Sequence, residues 1–530
     1  MDVLILAAGV GSRLSKYTHD QIPKYLINID ENTGLFHLID YWNKYANNIY
    51  LVINSKFRVI TEYYIENILN KYNKKIIIID YDNYDGTAYT LNYIINNQLK
   101  DSVINNLLIT WCDLYPSVDI DFSILNKKTD NNIYIFTHGN KCRYLLDKDN
   151  QIQNCENNDG NIVGIYYFQN YKKFNLDDTC INNDIVIYLD KIGNIFNFAV
   201  ENIVDYGDED KFFYIMNNLE KKKFNCRYFN NIELINNDKL LKKGITDKGK
   251  EIIQFEKGWY EYIYKLNNKN IESLLPKIYD TFEYGILMEY KINYIPVYKY
   301  LIENAENKIP VLKNIFDKLK LLHSVDQKIV SKTLFFNDLK KEIYDKIIER
   351  KSVVLNLIKY FGEIKIVNNI KINSFDNILK KCKDIIVKYY ETINTYQYSI
   401  ILGDCQFSNI LINPNDIKDI VFIDPRGYYG NSKVHGPVEY DYTKILYSIS
   451  GYDNFNLNYF NIQKISEDSI EFNIEGIHFD KTIINKYFNK VHKAYLVIIW
   501  LSLAEYCKND IWKCIASYYY GLYLGTLLFS

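Results

Sequence analysis

Over residues 1 to about 220 the chain alternates short, continuous apolar runs with longer stretches of helical periodicity. Val3–Ala8, Ile49–Asn54, Lys75–Tyr81, Leu107–Trp111, Ile133–Thr137 and Ile162–Phe168 read as strands. Between them, Leu35–Tyr45 and Val59–Tyr72 are amphipathic at helical spacing. This alternation predicts an α/β domain with a mixed, mainly parallel sheet. From Phe224 the pattern changes. Cys226–Ile235, Lys239–Lys243 and Tyr284–Tyr290 are strand-like, and from about Val297 the chain is mostly helical, interrupted at Ile400–Asp424. A small β-rich part followed by a larger helical part predicts a two-lobed α+β domain. The expected domains are 1–222 and 223–530, joined at the charged run Glu220-Lys221-Lys222-Lys223 and not by a Gly/Ser linker.

Composition narrows the function classes. The 530 residues are long enough for two cores. With 63 Lys+Arg against 65 Asp+Glu, the net charge of −2 carries no basic footprint, so nucleic acid is not an expected partner. The longest apolar run, near Ala494–Ala504, is shorter than the ~20 residues a spanning helix needs. The start, Met1-Asp2-Val3, lacks a basic n-region, so neither a signal peptide nor a membrane association is expected, and the expected location is cytoplasmic. Nine scattered cysteines without a CxxC pair predict reduced thiols, not zinc ligands or a disulfide framework. The 51 tyrosines reflect a compositional bias, which weakens arguments from aromatic clusters.

Candidate chemistry begins directly after the first strand, in Leu4-Ile5-Leu6-Ala7-Ala8-Gly9-Val10-Gly11-Ser12-Arg13-Leu14. Small residues there let the backbone approach a ligand, and successive N–H groups can ring phosphate oxygens. Arg13 adds a forked cation, and Lys24, after Pro23, adds a second. Leu14 stands where a dinucleotide fingerprint requires its third glycine, and no GK[ST] follows, so neither the dinucleotide motif nor a Walker A loop is present.

The full string, LAAGxGSRL followed by PK, resembles the sugar-phosphate nucleotidyltransferase superfamily. Later segments match that pattern in order: Asp85-Gly86-Thr87-Ala88, Ile109-Thr110-Trp111-Cys112-Asp113, Asn161-Ile162-Val163-Gly164-Ile165-Tyr166 and Val204-Asp205-Tyr206-Gly207-Asp208. The resemblance covers about 1–215 and implies a Rossmann-like domain. In such a domain Leu6, Ala7, Ala8, Gly9, Gly11, Ser12, Arg13, Lys24, Gly86 and Thr87 would bind a nucleoside triphosphate. Asp113 and Asp205 would hold Mg²⁺, a cation that favours oxygen ligands. Arg13 and Lys24 would act in catalysis, offsetting charge at the α-phosphorus. The fused C-terminal half favours CTP, as in phosphocholine cytidylyltransferases. Choline-specific members, however, carry an Asn-rich aromatic stretch where this chain has Gly86-Thr87-Ala88, which points to a phosphorylated sugar or polyol as acceptor.

In the second half, Ile401-Leu402-Gly403-Asp404-Cys405-Gln406-Phe407-Ser408-Asn409 precedes Val421-Phe422-Ile423-Asp424-Pro425-Arg426-Gly427. These segments resemble the HGDxxxxN loop and metal-binding strand of the aminoglycoside phosphotransferase and choline kinase superfamily, in the DPRG form of capsule-biosynthesis kinases. Tyr440-Asp441-Tyr442-Thr443-Lys444 also matches those kinases, and Leu287-Met288-Glu289-Tyr290 is similar to their hinge. The resemblance implies a protein-kinase-like domain that uses ATP. Asp404 would face the acceptor hydroxyl, Asn409 and Asp424 would hold Mg²⁺, and Lys242, paired with Glu256, would bind phosphate.

Leu402 replaces the His that usually braces this loop, and with Asp404 retained at most a reduced ordering of the loop is expected. The two halves together predict a bifunctional enzyme of surface or capsular polysaccharide precursor synthesis. Two alternatives stand beside it: a nucleotidyltransferase with an inactive kinase-like binding or oligomerisation module, and a choline kinase joined to a phosphocholine cytidylyltransferase. Homo-oligomerisation is compatible with each.

Overall fold

The computed structural model describes residues 1–9, 11–18, 21–29, 32–83, 86–100, 106–123, 132–155, 159–171, 183–222, 230–476, 478–507 and 510–529. Val10, Asp85, Cys180, Lys223, Phe224, Cys226 and the start of the strand expected from Cys226 lie outside the described residues. The chain divides into two compact units, Met1–Lys221 and Lys222–Ser530.

The first unit is an α/β fold around a seven-stranded sheet. Its strands are β1 (Asp2–Ala7), β2 (Ile49–Ile53), β3 (Ile76–Asp80), β4 (Leu107–Trp111), β6 (Asn132–Cys142), β7 (Gly160–Phe168) and β8 (Asn194–Ala199), with β5 (Leu114–Pro116) and β9 (Ile203–Asp205) forming a separate pair. The spatial order is β8-β6-β7-β4-β1-β2-β3. The run β3-β2-β1-β4 is parallel, β8 is parallel to β6, and β7 is antiparallel to both β4 and β6. Every residue of β1 is buried, as expected for a parallel strand covered on both faces. Helices α1 (Gly34–Trp42), α2 (Arg58–Asn67) and α3 (Gly86–Asn97) follow β1, β2 and β3 in sequence. Thr33 caps α1 by accepting from the Phe36 N–H at 3.1 Å.

After β3 the chain returns to the opposite side of β1 to form β4. The order therefore reverses between β1 and β4, the kind of switch point at whose carboxyl ends α/β sheets take ligands. Ala8 and Gly9 leave β1 at this point, and Cys112-Asp113 leave β4 beside it. The Cys112 N–H donates to the Leu6 carbonyl at 3.2 Å.

The second unit opens with a four-stranded antiparallel sheet. Its strands are β10 (Asn230–Asn236), β11 (Lys239–Gly244), β12 (Ile278–Phe282) and β13 (Gly285–Glu289), in the order β10-β11-β13-β12. Helix α5 (Asp247–Lys265), capped by Thr246, packs on it. The rest is largely helical. Helix α6 (Lys308–Val325) packs on a hairpin of β14 (Ile410–Asn413) and β15 (Asp416–Phe422), and α8 (Lys490–Leu503) packs on both α7 (Val438–Ile449) and α9 (Ile511–Phe529). A second hairpin, β16 (Phe460–Ser466) with β17 (Ser469–Ile474), interrupts the stretch expected to be helical. Its alternation of apolar Ile470, Phe472 and Ile474 with polar neighbours is the period-two pattern of a half-buried strand.

The apolar run Ala494–Ala504 lies in and just beyond α8 and is buried along its whole length. It is a core helix. Among the described residues no helix is long and apolar enough to cross a membrane. Cys112, Cys382, Cys405 and Cys514 are buried thiols.

Candidate active sites

In the first unit Leu6 and Ala7 end β1 in the core, Ala8 is half-buried, and Gly9, Ser12 and Arg13 are exposed. Gly11 has φ +72° and begins the short turn Ser12–Leu14. That left-handed conformation favours glycine. Leu14 is buried with Ile27, Ile29, Tyr206 and Phe212, so the residue that breaks the dinucleotide pattern anchors the loop in an apolar cluster.

Lys24 reaches from the next turn to Asp113, donating from Nζ to Oδ2. Burial works against the Lys24 charge, but the adjacent Asp113 carboxylate outweighs it and holds the ammonium above its ordinary range. The Arg13 guanidinium is near enough to oppose that charge, so the two cations share this end of the sheet.

The second acid arrives through strand pairing. β9 runs antiparallel to β5, with Asp205 opposite Leu114, and the Tyr206 N–H donates to the Asp113 carbonyl at 3.2 Å. Asp205 Oδ2 is 2.6 Å from Lys211 Nζ, in the first turn of α4 (Glu209–Lys222). Burial raises the Asp205 pKa, Lys211 opposes the rise, and the nearby Asp113 charge adds to it.

Gly207 lies between the acids. A Cβ there would meet Asp113 Oδ2 at 2.7 Å and Asp205 Oδ1 at 3.3 Å, so the glycine keeps the space between the carboxylates open. Two facing carboxylates, each now neutralised by a lysine, form a donor set that fits Mg²⁺. Among the described residues no group of three or more His, Cys, Asp or Glu could hold a metal, so further ligands would come from phosphate oxygens and water.

Gly86, with φ +82°, opens α3. Thr87 Oγ1 donates to Asp184 Oδ1 at 3.3 Å and accepts from the Ile185 N–H at 3.0 Å, so this hydroxyl ties α3 to residues 184 and 185. Gly164 has a packing role: a Cβ there would lie 2.0 Å from Trp111 Nε1. Sequence reasoning missed Lys211, and it placed Gly207 in the motif around Asp205 without a role of its own. The signal for Lys211 was its place three residues after Asp208, where a helix start turns it back toward Asp205.

In the second unit, Lys242 Nζ lies 2.8 Å from Glu256 Oε2 and 2.9 Å from Asp424 Oδ1. Strand alternation turns Lys242 toward α5 and Lys243 to the other face, where it meets Glu233 at 3.7 Å. Burial acts against the Lys242 charge, but Asp424 and Glu256 outweigh it and keep the ammonium above its usual range. Burial lifts Glu256 to about 7, with Lys242 opposing the rise and Asp424 adding to it. Glu256 Oε1 is buried, with no hydrogen-bond partner among the described residues. Asp424 adopts φ +54°, uncommon for a residue other than glycine and frequent at functional sites.

Asn409 Nδ2 donates to the Asp404 carbonyl at 2.8 Å, and the Ile423 N–H donates to the Asn409 carbonyl at 3.0 Å. The loop holding Asp404 and Asn409 is thus joined to the strand end that carries Asp424.

The looser loop expected from Leu402 is not what the structure shows. Leu402 is buried, and its N–H donates to Asp441 Oδ2 at 2.9 Å, while the Gly403 N–H donates to Asp441 Oδ1 at 2.7 Å. His323 Nε2 lies 2.9 Å from the same carboxylate. Farther along, the Phe407 N–H donates to Ser448 Oγ at 2.7 Å and the Ser408 N–H to Asp453 Oδ1 at 2.9 Å. The bracing comes from α7 and the short helix Tyr452–Asn456 after it, so the loop does not depend on a side chain at 402. In Asp441→Ala both N–H groups and His323 lose a buried partner. A cost of about 3 kcal/mol or more to this unit is expected, the scale of leaving several buried hydrogen-bonding groups unpaired. Scanning calorimetry should show a lowered transition, and an unchanged thermogram would contradict the bracing role.

Arg426 turns away from this centre. Its guanidinium donates to Glu342 at 2.5 and 3.1 Å and to the Tyr440 hydroxyl at 2.8 Å, a buried fork that packs the loop against the helical part.

No family model matches the chain. Its N-terminal part is similar to the bifunctional protein GlmU of Methanococcus aeolicus, at 29% identity over 188 residues, or 34% of this chain and 42% of that protein. The chain thus spans about two fifths of the length of that curated relative. Among solved structures, HddC from Yersinia pseudotuberculosis is 21% identical with a TM-score of 0.34, covering 41% of this chain and 99% of that one. The inositol-1-phosphate CTP transferase from T. maritima is 14% identical with a TM-score of 0.34, covering 42% and 96%.

Proposed function

We propose that residues 1–222 form a nucleotidyltransferase domain acting on a phosphorylated small molecule, and that residues 223–530 form a kinase-like domain that phosphorylates a small hydroxylated compound with ATP. The observation that carries the first half is the convergence of Asp113, Asp205, Lys24 and Lys211 around Gly207, at the sheet's order reversal. In this reaction a phosphate oxygen of the acceptor bonds to the α-phosphorus of the triphosphate. The bond from that phosphorus to the bridging oxygen breaks, and pyrophosphate leaves with the electron pair.

Mg²⁺, when held by Asp113 and Asp205, would neutralise phosphate charge. The chain's own groups supply the rest. The backbone N–H groups of Gly9, Gly11 and Ser12, with Arg13, cradle the phosphates, and Lys24 offsets charge on the reacting oxygens. Gly207 keeps the space between the acids free of side-chain atoms.

The base is cytosine and the acceptor a phosphorylated sugar or polyol, a reading that rests on Gly86-Thr87-Ala88 and on the fused second unit. With all four nucleoside triphosphates present at equal concentration, CTP should be consumed preferentially as pyrophosphate appears. A preference for UTP or GTP would overturn the cytidylyl assignment and leave the reaction class intact.

The second half is supported by Lys242, Glu256 and Asp424 in one ion-paired cluster beside a loop holding Asp404 and Asn409. The two activities together would make an activated precursor for a surface polysaccharide, in the cytoplasm. Leu402 favours a second reading, in which the second unit only binds a ligand or assembles the protein. The bracing from Asp441 weighs against it.

A further inference from the structure

Asp441, Ser448 and Asp453 hold the backbone of the 402–409 loop. Lys444 meets the Asp404 side chain itself. Lys444 lies three positions beyond Asp441 on α7, a spacing that sets both side chains on one helix face. Its Nζ is 2.9 Å from Asp404 Oδ1, and its side chain is only 12% exposed. The ammonium also lies over the Tyr440 and Tyr447 rings, 5.8 and 5.4 Å from their centroids. Burial works against the charge, but Asp404 and Tyr440 more than offset it. An exposed pair of this kind would contribute little, whereas here the stem is packed and the ammonium has a fixed place.

We propose that Lys444 is a positioning residue for phosphotransfer, holding the Asp404 carboxylate in the orientation that meets the acceptor hydroxyl. The inference rests on the kinase reading of the second unit. In that step the acceptor oxygen bonds to the γ-phosphorus and the bond to the β–γ bridging oxygen breaks. ADP leaves with the electron pair, and the hydroxyl proton passes to Asp404. Lys444 keeps its proton throughout. It acts only through Asp404, whose carboxylate must stay within hydrogen-bond reach of the attacking oxygen.

The test uses the full-length chain and two variants. Lys444→Met keeps the stem and removes the charge, and Lys444→Arg keeps the charge. ADP formation is followed with ATP·Mg²⁺ alone, where water is the acceptor, and with ribitol, glycerol, N-acetylglucosamine and choline in turn. Lys444→Met should lower kcat ~10- to 100-fold, the scale of a misplaced reacting group, with the KM for ATP and the thermal midpoint unchanged. Lys444→Arg should restore most of the loss. A Met variant at wild-type kcat overturns the assignment, as does a loss of kcat that tracks a fall in thermal midpoint and is not restored by Arg. If the wild-type protein makes no ADP with any of these acceptors, the kinase reading itself fails and this assignment with it.

Discussion

Asp113→Ala is expected to lower nucleotidyl transfer ~10²-fold or more, the scale of removing one major electrostatic group from a reacting centre. Two effects combine in this variant. One carboxylate of the facing pair is lost, and Lys24 loses the partner that holds its buried ammonium in place. Pyrophosphate release measured in saturating Mg²⁺ reads the loss, while ADP formation by the second unit should persist. Release near the wild-type level would show that Asp113 is not in the reacting centre.

Asp404→Asn should abolish turnover at the second unit and leave ATP·Mg²⁺ binding largely intact. The amide keeps the size of the side chain but cannot accept the acceptor proton, and a positioned base is worth ~10²–10⁴-fold in rate. The Lys242, Glu256 and Asp424 cluster, where ATP would be held, is untouched by the change. Calorimetric titration with ATP·Mg²⁺ and an ADP assay on the same preparations separate binding from chemistry. Wild-type protein that neither binds ATP·Mg²⁺ nor forms ADP would make the second unit a binding or assembly module.

Much of the fold was legible because it is written in contiguous residues. The apolar runs of β1, β2 and β4, with helical periodicity between them, announce a parallel α/β sheet, since a strand covered on both faces is apolar along most of its length. The small residues at Gly9 and Gly11, and the order of Asp404, Asn409 and Asp424, were legible for the same reason. Each is a short pattern that can be read directly along the chain.

The hairpin of β16 and β17 was missed inside a stretch whose neighbours are helical, although its alternation is present in the residues. The role of Thr87 was not legible either. A hydroxyl suited to a nucleotide loop is spent on residues 184 and 185, which are brought to it only by the folding of the sheet.

The sequence by itself determined which residue types stand at the ends of the strands, and that Lys242 and Lys243 must point to opposite faces, because side-chain direction alternates along any strand. Only the tertiary structure decided which of the two is buried, since that depends on which face α5 covers. The same holds for the acids. Asp113 and Asp205 are far apart in the chain, and the pairing of β9 with β5 brings them to the same glycine. Asp441 and Lys444 likewise meet the 402–404 backbone and Asp404 because α7 packs beneath that loop. Periodicity and turn chemistry are local and can be read along the chain. Partners across long separations are chosen by whichever packing buries the apolar faces together, and that choice belongs to the folded chain as a whole.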